Sequence, residues 1–248
     1  MARTKIEWAN ESWNPVTGCS AVSSGCKNCY ARKMANRLRG RCGYDANDPF
    51  KITLHEDKLV GLWDLQGKES VRIFVESMGD LFHDDVPDEW IDRVVSAAEL
   101  VYGRGGKLHD YLFLTKRPDR MYRWAERNTL RGFVDHPNFW IGVTAENQEM
   151  ADKRLPVLKM LPAAIRWVSI EPMLTAVNIE PWLKNGTLKF VVAGPETGAG
   201  ARKAESGWFM SLYRQCRKYD VPFFDKRKVG GLSKQFPKGG EDVERIDK

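Results

Sequence analysis

Residues 139–160 read FWIGVTAENQEMADKRLPVLKM, and this stretch contains the unit from which most of the chain is built. The apolar run Phe139–Val143 predicts a buried strand, and the polar residues 144–147 predict a turn. Residues 149–160 then predict a helix. A strand, a polar turn and a helix in this order are typical of a βαβ unit, in which successive strands lie parallel in one sheet.

The same unit recurs along nearly the whole chain. Apolar runs predict further strands at 71–75, 111–114, 166–170, 189–193 and 221–224, with a short first strand around 13–16. Periodic apolar residues predict helices at 30–38, 89–103, 121–128 and 206–219. We therefore expect an α/β fold with six to seven parallel strands. Because a full barrel has eight, a partial (β/α) barrel is favoured, and a doubly wound open sheet is the alternative.

The size and composition fit a protein with a sizeable core. The chain has 248 residues, of which 42% are hydrophobic and 11% aromatic. These values exclude a disordered chain, a collagen and a small disulfide scaffold. The longest apolar runs are too short for a membrane span, and the first residues do not resemble a signal peptide. We expect a cytoplasmic protein with no membrane association, forming one domain over 1–248 with a basic C-terminal extension at about 227–248.

Positive charge is concentrated in two segments. The net charge is +6, yet residues 27–41 carry six Lys or Arg and no acid, and residues 202–238 carry ten against three acids. The intervening residues are net acidic. Basic segments on either side of an acidic middle favour a polyanionic partner.

Three of the five cysteines are clustered in TGCSAVSSGCKNCYARK, residues 17–33. Cys19, Cys26 and Cys29 lie in a polar loop rich in glycine and serine, whereas Cys42 and Cys216 stand apart. A reducing compartment keeps thiols free for metals or chemistry rather than for disulfides. The cluster is thus a candidate metal site.

Three interpretations of this loop remain open from the residues alone. The cysteines are small buried hydrophobes, or they are zinc ligands, or they hold an iron–sulfur cluster. Zinc needs a fourth ligand, and only Cys42 or His55 is near in sequence. A [4Fe–4S] cluster on three thiolates leaves one iron for a substrate or cofactor.

Polar residues collect where the predicted strands end. Because the carboxyl ends of parallel strands share one face, and active sites of such folds lie there, these residues form a candidate site. Turn formation and helix capping are the alternative explanation for each of them. They are Ser77, Asp80, Thr115, Lys116, Arg117, Glu146, Asn147, Glu171 and Glu196.

A glycine-rich turn follows one of these strands. GPETGAGAR, residues 194–202, has glycines that allow backbone N–H groups to approach a ligand, and Arg202 adds a cation. A tight turn that needs positive φ explains the same glycines.

Taken together, these blocks resemble a known superfamily. A three-cysteine loop before a partial barrel resembles the radical S-adenosylmethionine (SAM) enzymes. NPVTGCSAVSSGCKNCYA, FVESMGDLFHDDVP, FLTKRPDRM, WIGVTAEN, RWVSIEPML, VAGPETGAGAR and VPFFDK are more closely similar to an uncharacterised radical-SAM-like family frequent in bacteriophages and mobile elements. The likeness runs from about Trp13 to Lys226. It departs from the usual superfamily signature in having six residues, rather than about three, between the first two cysteines.

The resemblance implies a cofactor and a set of site residues. Cys19, Cys26 and Cys29 would hold a [4Fe–4S] cluster whose remaining iron binds SAM. A reductant such as flavodoxin or ferredoxin would supply the electron that splits SAM into methionine and a 5'-deoxyadenosyl radical. Cofactor contacts are implied at Ser77, Gly79, Asp80, Thr115, Arg117, Thr144, Glu146, Asn147, Ser169, Gly194 and Glu196, and catalytic roles at Lys116 and Glu171.

The resemblance also implies a substrate class. Phage genomes carry hypermodified bases, so the expected substrate is a thymine-type base in DNA, or a nucleotide, in the cytoplasm of a host cell. Spore-photoproduct-lyase-like DNA repair is one alternative, and a non-catalytic zinc or iron–sulfur nucleic-acid-binding protein is another. The aromatic residues interleaved with the second basic segment either stack on bases or belong to the core. They are Trp208, Tyr213, Tyr219, Phe223 and Phe224.

Overall fold

The computed structural model describes residues 2–127, 136–228 and 230–237. The strands are β1 (Ala2–Arg3), β2 (Glu11–Trp13), β3 (Val16–Thr17), β4 (Thr53–Leu54), β5 (Arg72–Val75), β6 (Asp110–Thr115), β7 (Phe139–Thr144), β8 (Ile165–Ile170), β9 (Phe190–Ala193) and β10 (Phe223–Asp225). The α-helices are α1 (Tyr30–Arg37), α2 (Glu56–Gly61), α3 (Asp88–Leu100), α4 (Pro118–Arg127), α5 (Gln148–Met160), α6 (Glu180–Lys184) and α7 (Ser206–Lys218). Within these described ranges, each helix is too short or too polar to cross a bilayer.

The main sheet is a partial barrel. Its strand order is β1-β2-β5-β6-β7-β8-β9-β10, and β1 pairs antiparallel with β2 while all the other neighbours are parallel. The order follows the chain without reversal, so the helices pack on one side and the sheet curls into half a barrel. A doubly wound sheet would reverse direction in the middle. The predicted partial barrel of six to seven parallel strands is confirmed, with seven.

Alternation along the strands creates two cores. Successive side chains of a strand point to opposite faces. In β7, Phe139 and Ile141 face the helices, whereas Trp140 faces the inside of the half-barrel. The inner face is mostly aromatic, and its buried members are Trp8, Ala9, Phe74, Leu112, Trp140, Trp167, Phe190, Val192 and Phe224. Gly142 makes room for this packing, since a Cβ there would lie 2.4 Å from the Trp167 ring.

Two chain segments cover the open side of the half-barrel. Trp8, from the segment between β1 and β2, packs on the Phe74 and Trp167 rings at centroid distances of 4.6 and 5.3 Å. Phe236, from the segment after β10, packs on Phe190 at 5.7 Å and Phe224 at 5.3 Å. An ion pair between Glu7 and Lys234 joins the two segments. The interior is therefore closed by residues from both ends of the chain.

Most of the predicted elements lie within a few residues of their expected bounds. The short ones were missed: β1, the antiparallel pair β3 and β4, and the helices α2 and α6. Helix α4 begins at Pro118 rather than 121, because proline is well suited to the first turn of a helix. Residue 128 of that predicted helix, and the predicted C-terminal extension beyond 237, lie outside the described residues.

The aromatic residues of the second basic segment pack in or against the core. Phe223 and Phe224 are buried, with 1% and 2% of their surface exposed. Trp208, Tyr213 and Tyr219 pack against the outer core between the sheet and the helices. Phe223 and Phe224 therefore belong to the core and not to a base-stacking surface. A stacking role for the half-buried Trp208, Tyr213 and Tyr219 stays a prediction.

Candidate functional site

A cavity of about 580 Å³ opens at the carboxyl ends of the parallel strands. Trp8, Phe74 and Leu114 form apolar parts of its lining. Further along the strands the inward-facing side chains become polar, as at Thr144 and Ser169, which also line the cavity. The cavity thus has an aromatic floor and a polar wall.

The cysteine loop forms one side of this cavity. After β3, the Gly18 N–H donates to the carbonyl of Met78 at 3.0 Å, which ties the loop to the end of β5. Gly18 has φ of +93°, and a Cβ there would lie 2.0 Å from the Lys51 carbonyl oxygen, so only glycine fits. Cys29 directly precedes α1.

Cys19, Cys26 and Cys29 all line the cavity, and all three are free thiols of intermediate exposure. Cys42 is exposed and Cys216 is buried, and neither belongs to the lining. The fold therefore brings together, at the carboxyl ends of the strands, the three cysteines that the sequence singled out.

Two of these thiols have different electrostatic surroundings. Burial, followed by the nearby charge of Asp80, raises the pKa of Cys19 to about 11, although Arg117 opposes the shift. Burial also disfavours ionisation of Cys26. Hydrogen bonds at Val22 and Ser23 and the charge of Lys116 outweigh it, so the pKa of Cys26 lies below its usual value.

The cavity wall also contains one buried acceptor without a partner. Glu76 is 3% exposed, and its Oε1 accepts from the Val16 N–H at 2.9 Å. Its Oε2 has no hydrogen-bond partner. Burial, and secondarily the charge of Asp80, raises the pKa of Glu76 well above its usual value. Glu76 also adopts φ of +66°, an unusual backbone conformation for a residue other than glycine.

The geometry can be compared with what a metal centre requires. Among the described residues, no three His, Cys, Asp or Glu side chains are grouped so as to hold one metal ion. A structural zinc needs four ligand atoms closed around a single ion. A [4Fe–4S] cluster is larger than one ion and takes thiolates from around the cavity that contains it. Three free thiols in one cavity are the donor type that holds an iron–sulfur cluster, so the donor set fits such a cluster.

Glu146, which does not line the cavity, anchors the cysteine loop. Its side chain is fully buried, and its Oε1 accepts from the Gly25 N–H at 3.2 Å. Its Oε2 accepts from Arg154 at 2.9 Å, and Arg154 also donates to the Thr144 carbonyl at 2.7 Å. Burial works against ionisation of Glu146, but the Ser23 hydrogen bond and the Arg154 charge outweigh it and keep its pKa below the usual value. Glu146 therefore holds the segment between Cys19 and Cys26 against α5.

An ion pair lies in the part of the cavity wall that is formed by residues following β8 and β10. Glu171, which follows β8, forms an ion pair with Lys226, which follows β10, and both side chains line the cavity. Gly194 lies beside them, and a Cβ there would come within 3.0 Å of the Glu171 carboxyl group. The glycine thus leaves space for the carboxylate.

The glycine-rich turn is clamped to the cysteine loop. Glu196 Oε2 accepts from Asn28 at 2.8 Å and from the Arg202 N–H at 2.8 Å. Arg202 also pairs with Glu196 through its guanidinium group, which lowers the pKa of Glu196 to about 2. The Arg202 guanidinium donates to the Ser24 carbonyl at 3.0 Å. The turn therefore supports the loop between the cysteines.

Comparison with known proteins gives one match. A family model described as "Protein of unknown function (DUF5131)" matches residues 3–243. The chain belongs to the DUF5131 family. No curated protein and no solved structure matches the chain significantly. The matched DUF5131 region includes the seven parallel strands, the cysteine loop and the whole cavity lining.

The predicted site residues of this DUF5131 protein fall into two groups. Besides the cysteines, those that line the cavity are Ser77, Gly79, Asp80, Thr115, Lys116, Thr144, Ser169, Glu171 and Glu196. Those outside the lining are Arg117, Glu146, Asn147 and Gly194. Asn147 caps α5, because its side chain accepts from the Met150 N–H at 2.9 Å. Direct cofactor contacts at these four residues stay predictions.

The cavity lining of this DUF5131 chain includes polar residues that sequence reasoning did not select, among them Glu76, Lys226, Asn28 and Tyr30. Glu76 and Lys226 each lie just beyond a strand, so the rule that selected Glu171 would have found them. Tyr30 donates its hydroxyl to the carbonyl of Ser77 across the cavity wall. Its position next to Cys29 is the only sequence signal for it.

The first basic segment of the DUF5131 chain adjoins the cavity. Tyr30 and Met34 of α1 line it. The exposed cations of residues 27–41 are Lys27, Arg32, Arg37, Arg39 and Arg41. None of them forms an ion pair with an acid among the described residues. The second basic segment is different. Among the cations of this segment that the structure describes, only Lys226 lines the cavity, while Lys218 of α7 pairs with Glu180.

Proposed function

We propose that this protein is a radical SAM enzyme in which Cys19, Cys26 and Cys29 hold a [4Fe–4S] cluster. The observation that carries the proposal is the convergence of three free cysteines on one cavity at the carboxyl face of a partial (β/α) barrel. Three thiolates leave one iron of a cluster open, and the cavity beside them has room for a ligand.

The bound cluster and SAM would supply a 5'-deoxyadenosyl radical that removes hydrogen from the substrate. The residues of the chain would bind and orient. Glu76 Oε2, which is buried and unpaired, is suited to accept from an ammonium group. Lys116 is half-buried in the cavity lining and forms no ion pair within the described part of the chain, so it is available to a carboxylate or phosphate. The aromatic floor excludes water below them.

We further propose a nucleic acid as the substrate, most simply a thymine-type base in DNA. The support is the set of exposed cations in residues 27–41, a segment whose Tyr30 and Met34 line the cavity. Unpaired Lys and Arg side chains near a cavity mouth would neutralise phosphates of a strand whose base enters the cavity. A low-potential one-electron donor such as flavodoxin or ferredoxin would complete the system.

The experiment that tests the enzyme proposal uses the whole chain purified without oxygen. We expect about four iron atoms per chain, a brown colour and formation of 5'-deoxyadenosine from SAM and dithionite. Cys19→Ala, Cys26→Ala and Cys29→Ala should each lose the cluster. Cys42→Ala is the matched control and should retain it, because Cys42 is exposed and outside the cavity.

Two results would refute this proposal. A colourless chain with one zinc would favour the non-catalytic nucleic-acid-binding alternative. Loss of iron in Cys42→Ala as well would indicate a closed four-thiolate site, which has no open iron for SAM.

The substrate proposal needs a separate measurement. We expect nucleosides from DNA made in the presence of the active chain to contain a modified base by mass spectrometry, and the Cys26→Ala chain to leave the DNA unmodified. Binding to DNA should weaken steeply with salt, and less steeply when Arg37 and Arg39 are both changed to Gln. Unmodified DNA and salt-independent binding would refute a nucleic-acid substrate.

A further inference from the structure

Arg117 makes the contact that distinguishes Cys19 from the other two clustered cysteines. The Nη1 of Arg117 donates to the Cys19 sulfur at 3.3 Å. The Arg117 side chain is 7% exposed, so this is a nearly buried cation beside a cavity thiol. Within the described residues, Arg117 is the cationic residue whose side chain donates a hydrogen bond to a cysteine sulfur.

The orientation of Arg117 is fixed by several further bonds. Its Nη2 donates to the Ser20 hydroxyl at 2.8 Å and to the Ser20 carbonyl at 3.1 Å. Its Nη1 also donates to Asp80 Oδ2 at 3.2 Å. The Asp80 carboxylate is held in turn by the Thr115 hydroxyl at 2.7 Å. The guanidinium group therefore cannot turn away from Cys19 without breaking this network.

A donor on a ligand sulfur alters the energetics of cluster reduction. The added electron increases the negative charge spread over the cluster and its thiolates. A positive N–H donor stabilises that charge more in the reduced state than in the oxidised state, and this raises the reduction potential. The low exposure of Arg117 keeps water from screening the effect.

We infer that Arg117 is a positioning residue that raises the reduction potential of the cluster through its hydrogen bond to the Cys19 sulfur. The inference rests on the proposed function, because it requires a cluster on Cys19. The reaction concerned is the addition of one electron to the cluster from a low-potential donor. No proton moves, since Arg117 stays cationic throughout.

The chain provides a matched control in Arg32. This residue also lies beside Cys19, but its guanidinium donates to the Cys19 carbonyl, at 3.4 Å, rather than to the sulfur. Arg32 is exposed, so water screens its charge. Arg32→Gln removes the same charge near the same cysteine without removing a bond to sulfur.

The test is a potentiometric titration of the cluster-loaded chain, followed by the electron paramagnetic resonance of the reduced cluster. At the potential where the unsubstituted cluster is half reduced, Arg117→Gln should lower the ratio of reduced to oxidised cluster about tenfold, a midpoint about 59 mV lower. Arg32→Gln should change the ratio much less. Equal changes in the two variants would overturn the inference.

A second measurement needs no substitution at Arg117 and covers the case in which Arg117→Gln fails to fold. The chain is made with arginine labelled with ¹⁵N in the guanidinium group, and the reduced cluster is examined by electron–nuclear double resonance. A ¹⁵N coupling is expected, and it should persist in Arg32→Gln. A cluster without such coupling refutes this inference alone. A chain that binds no cluster refutes the proposed function and this inference with it.

Discussion

Replacing Glu146 by alanine removes one half of a buried ion pair and the anchor of the cysteine loop. The side chains of Glu146 and Arg154 are 0% and 3% exposed, so Arg154 would be left as a buried charge with the Thr144 carbonyl as its remaining acceptor. Breaking such a pair from one side costs about 3–5 kcal/mol. The free energy of unfolding of a whole domain is about 5–15 kcal/mol, so the loss is a large part of the total.

Urea unfolding followed by tryptophan fluorescence measures this loss. Glu146→Gln keeps the shape and an acceptor oxygen, so it should cost less, about 2 kcal/mol. The exposed pair of Glu56 and Arg93, linked at 2.7 Å, is the control, and Glu56→Ala should have little effect because water screens both charges. Glu146→Ala should also reduce iron uptake, since the Gly25 N–H loses its acceptor. A loss of stability no larger than that of Glu56→Ala would refute the reasoning.

The contribution of Glu146 should also depend on pH in a defined direction. Its pKa in the folded protein is below the usual value of 4.5. A depressed carboxyl pKa stabilises the folded state fully above the unfolded pKa, and the stabilisation is lost as the pH falls through the folded pKa. The difference in stability between the unsubstituted chain and Glu146→Gln should therefore be constant above about pH 5 and should shrink in more acidic buffer.

Three further predictions concern the fold around the site. Gly142→Ala should lower the free energy of unfolding by about 1–3 kcal/mol, because its Cβ would lie 2.4 Å from the Trp167 ring. Gly207→Ala, whose Cβ would meet no atom within 4 Å, should instead raise the free energy of unfolding slightly. Thermal melts of the two variants measure both changes. His109 is buried and its pKa is lowered from 6.5 by burial, so acidification from about pH 7.5 to about pH 5.5 should destabilise the unsubstituted chain more than His109→Gln, by chemical denaturation. Phe236→Ala should cost about 2 kcal/mol and make the segment after β10 more sensitive to protease, and equal cleavage of both chains would contradict the role assigned to it.

The long buried strands were predictable because their sequence pattern is strong. A run such as Phe139–Val143 between turn residues indicates a strand wherever it occurs, and the recurrence of the unit indicates a parallel sheet. The pair β3 and β4 was not predictable, since strands of two residues carry no periodicity. The closure of the half-barrel by Trp8 and Phe236 was also missed, because it depends on contacts between distant parts of the chain.

The site was predictable as a set of strand ends, but not in the detail of each side chain. Thr115 and Glu171, which were selected because they lie at strand ends, line the cavity. Glu146 lies beyond the end of β7, where alternation no longer defines a direction, and its carboxylate faces Arg154 instead. Residue type alone cannot distinguish a carboxylate in a cavity from one behind its wall. The position of the ion-pair partner decides where a carboxylate points. The partner of Glu146 is Arg154, eight positions further along the chain.

The closure of the half-barrel by Trp8 and Phe236 affects how the protein folds during its synthesis. Because the ribosome synthesises Trp8 long before Phe236, the aromatic inner face of the sheet stays in contact with water until Phe236 has been made. Until then the nascent chain presents apolar surface and an unclosed sheet to its neighbours. We expect expression to depend on chaperones and on temperature more strongly than the tightly packed native state would indicate.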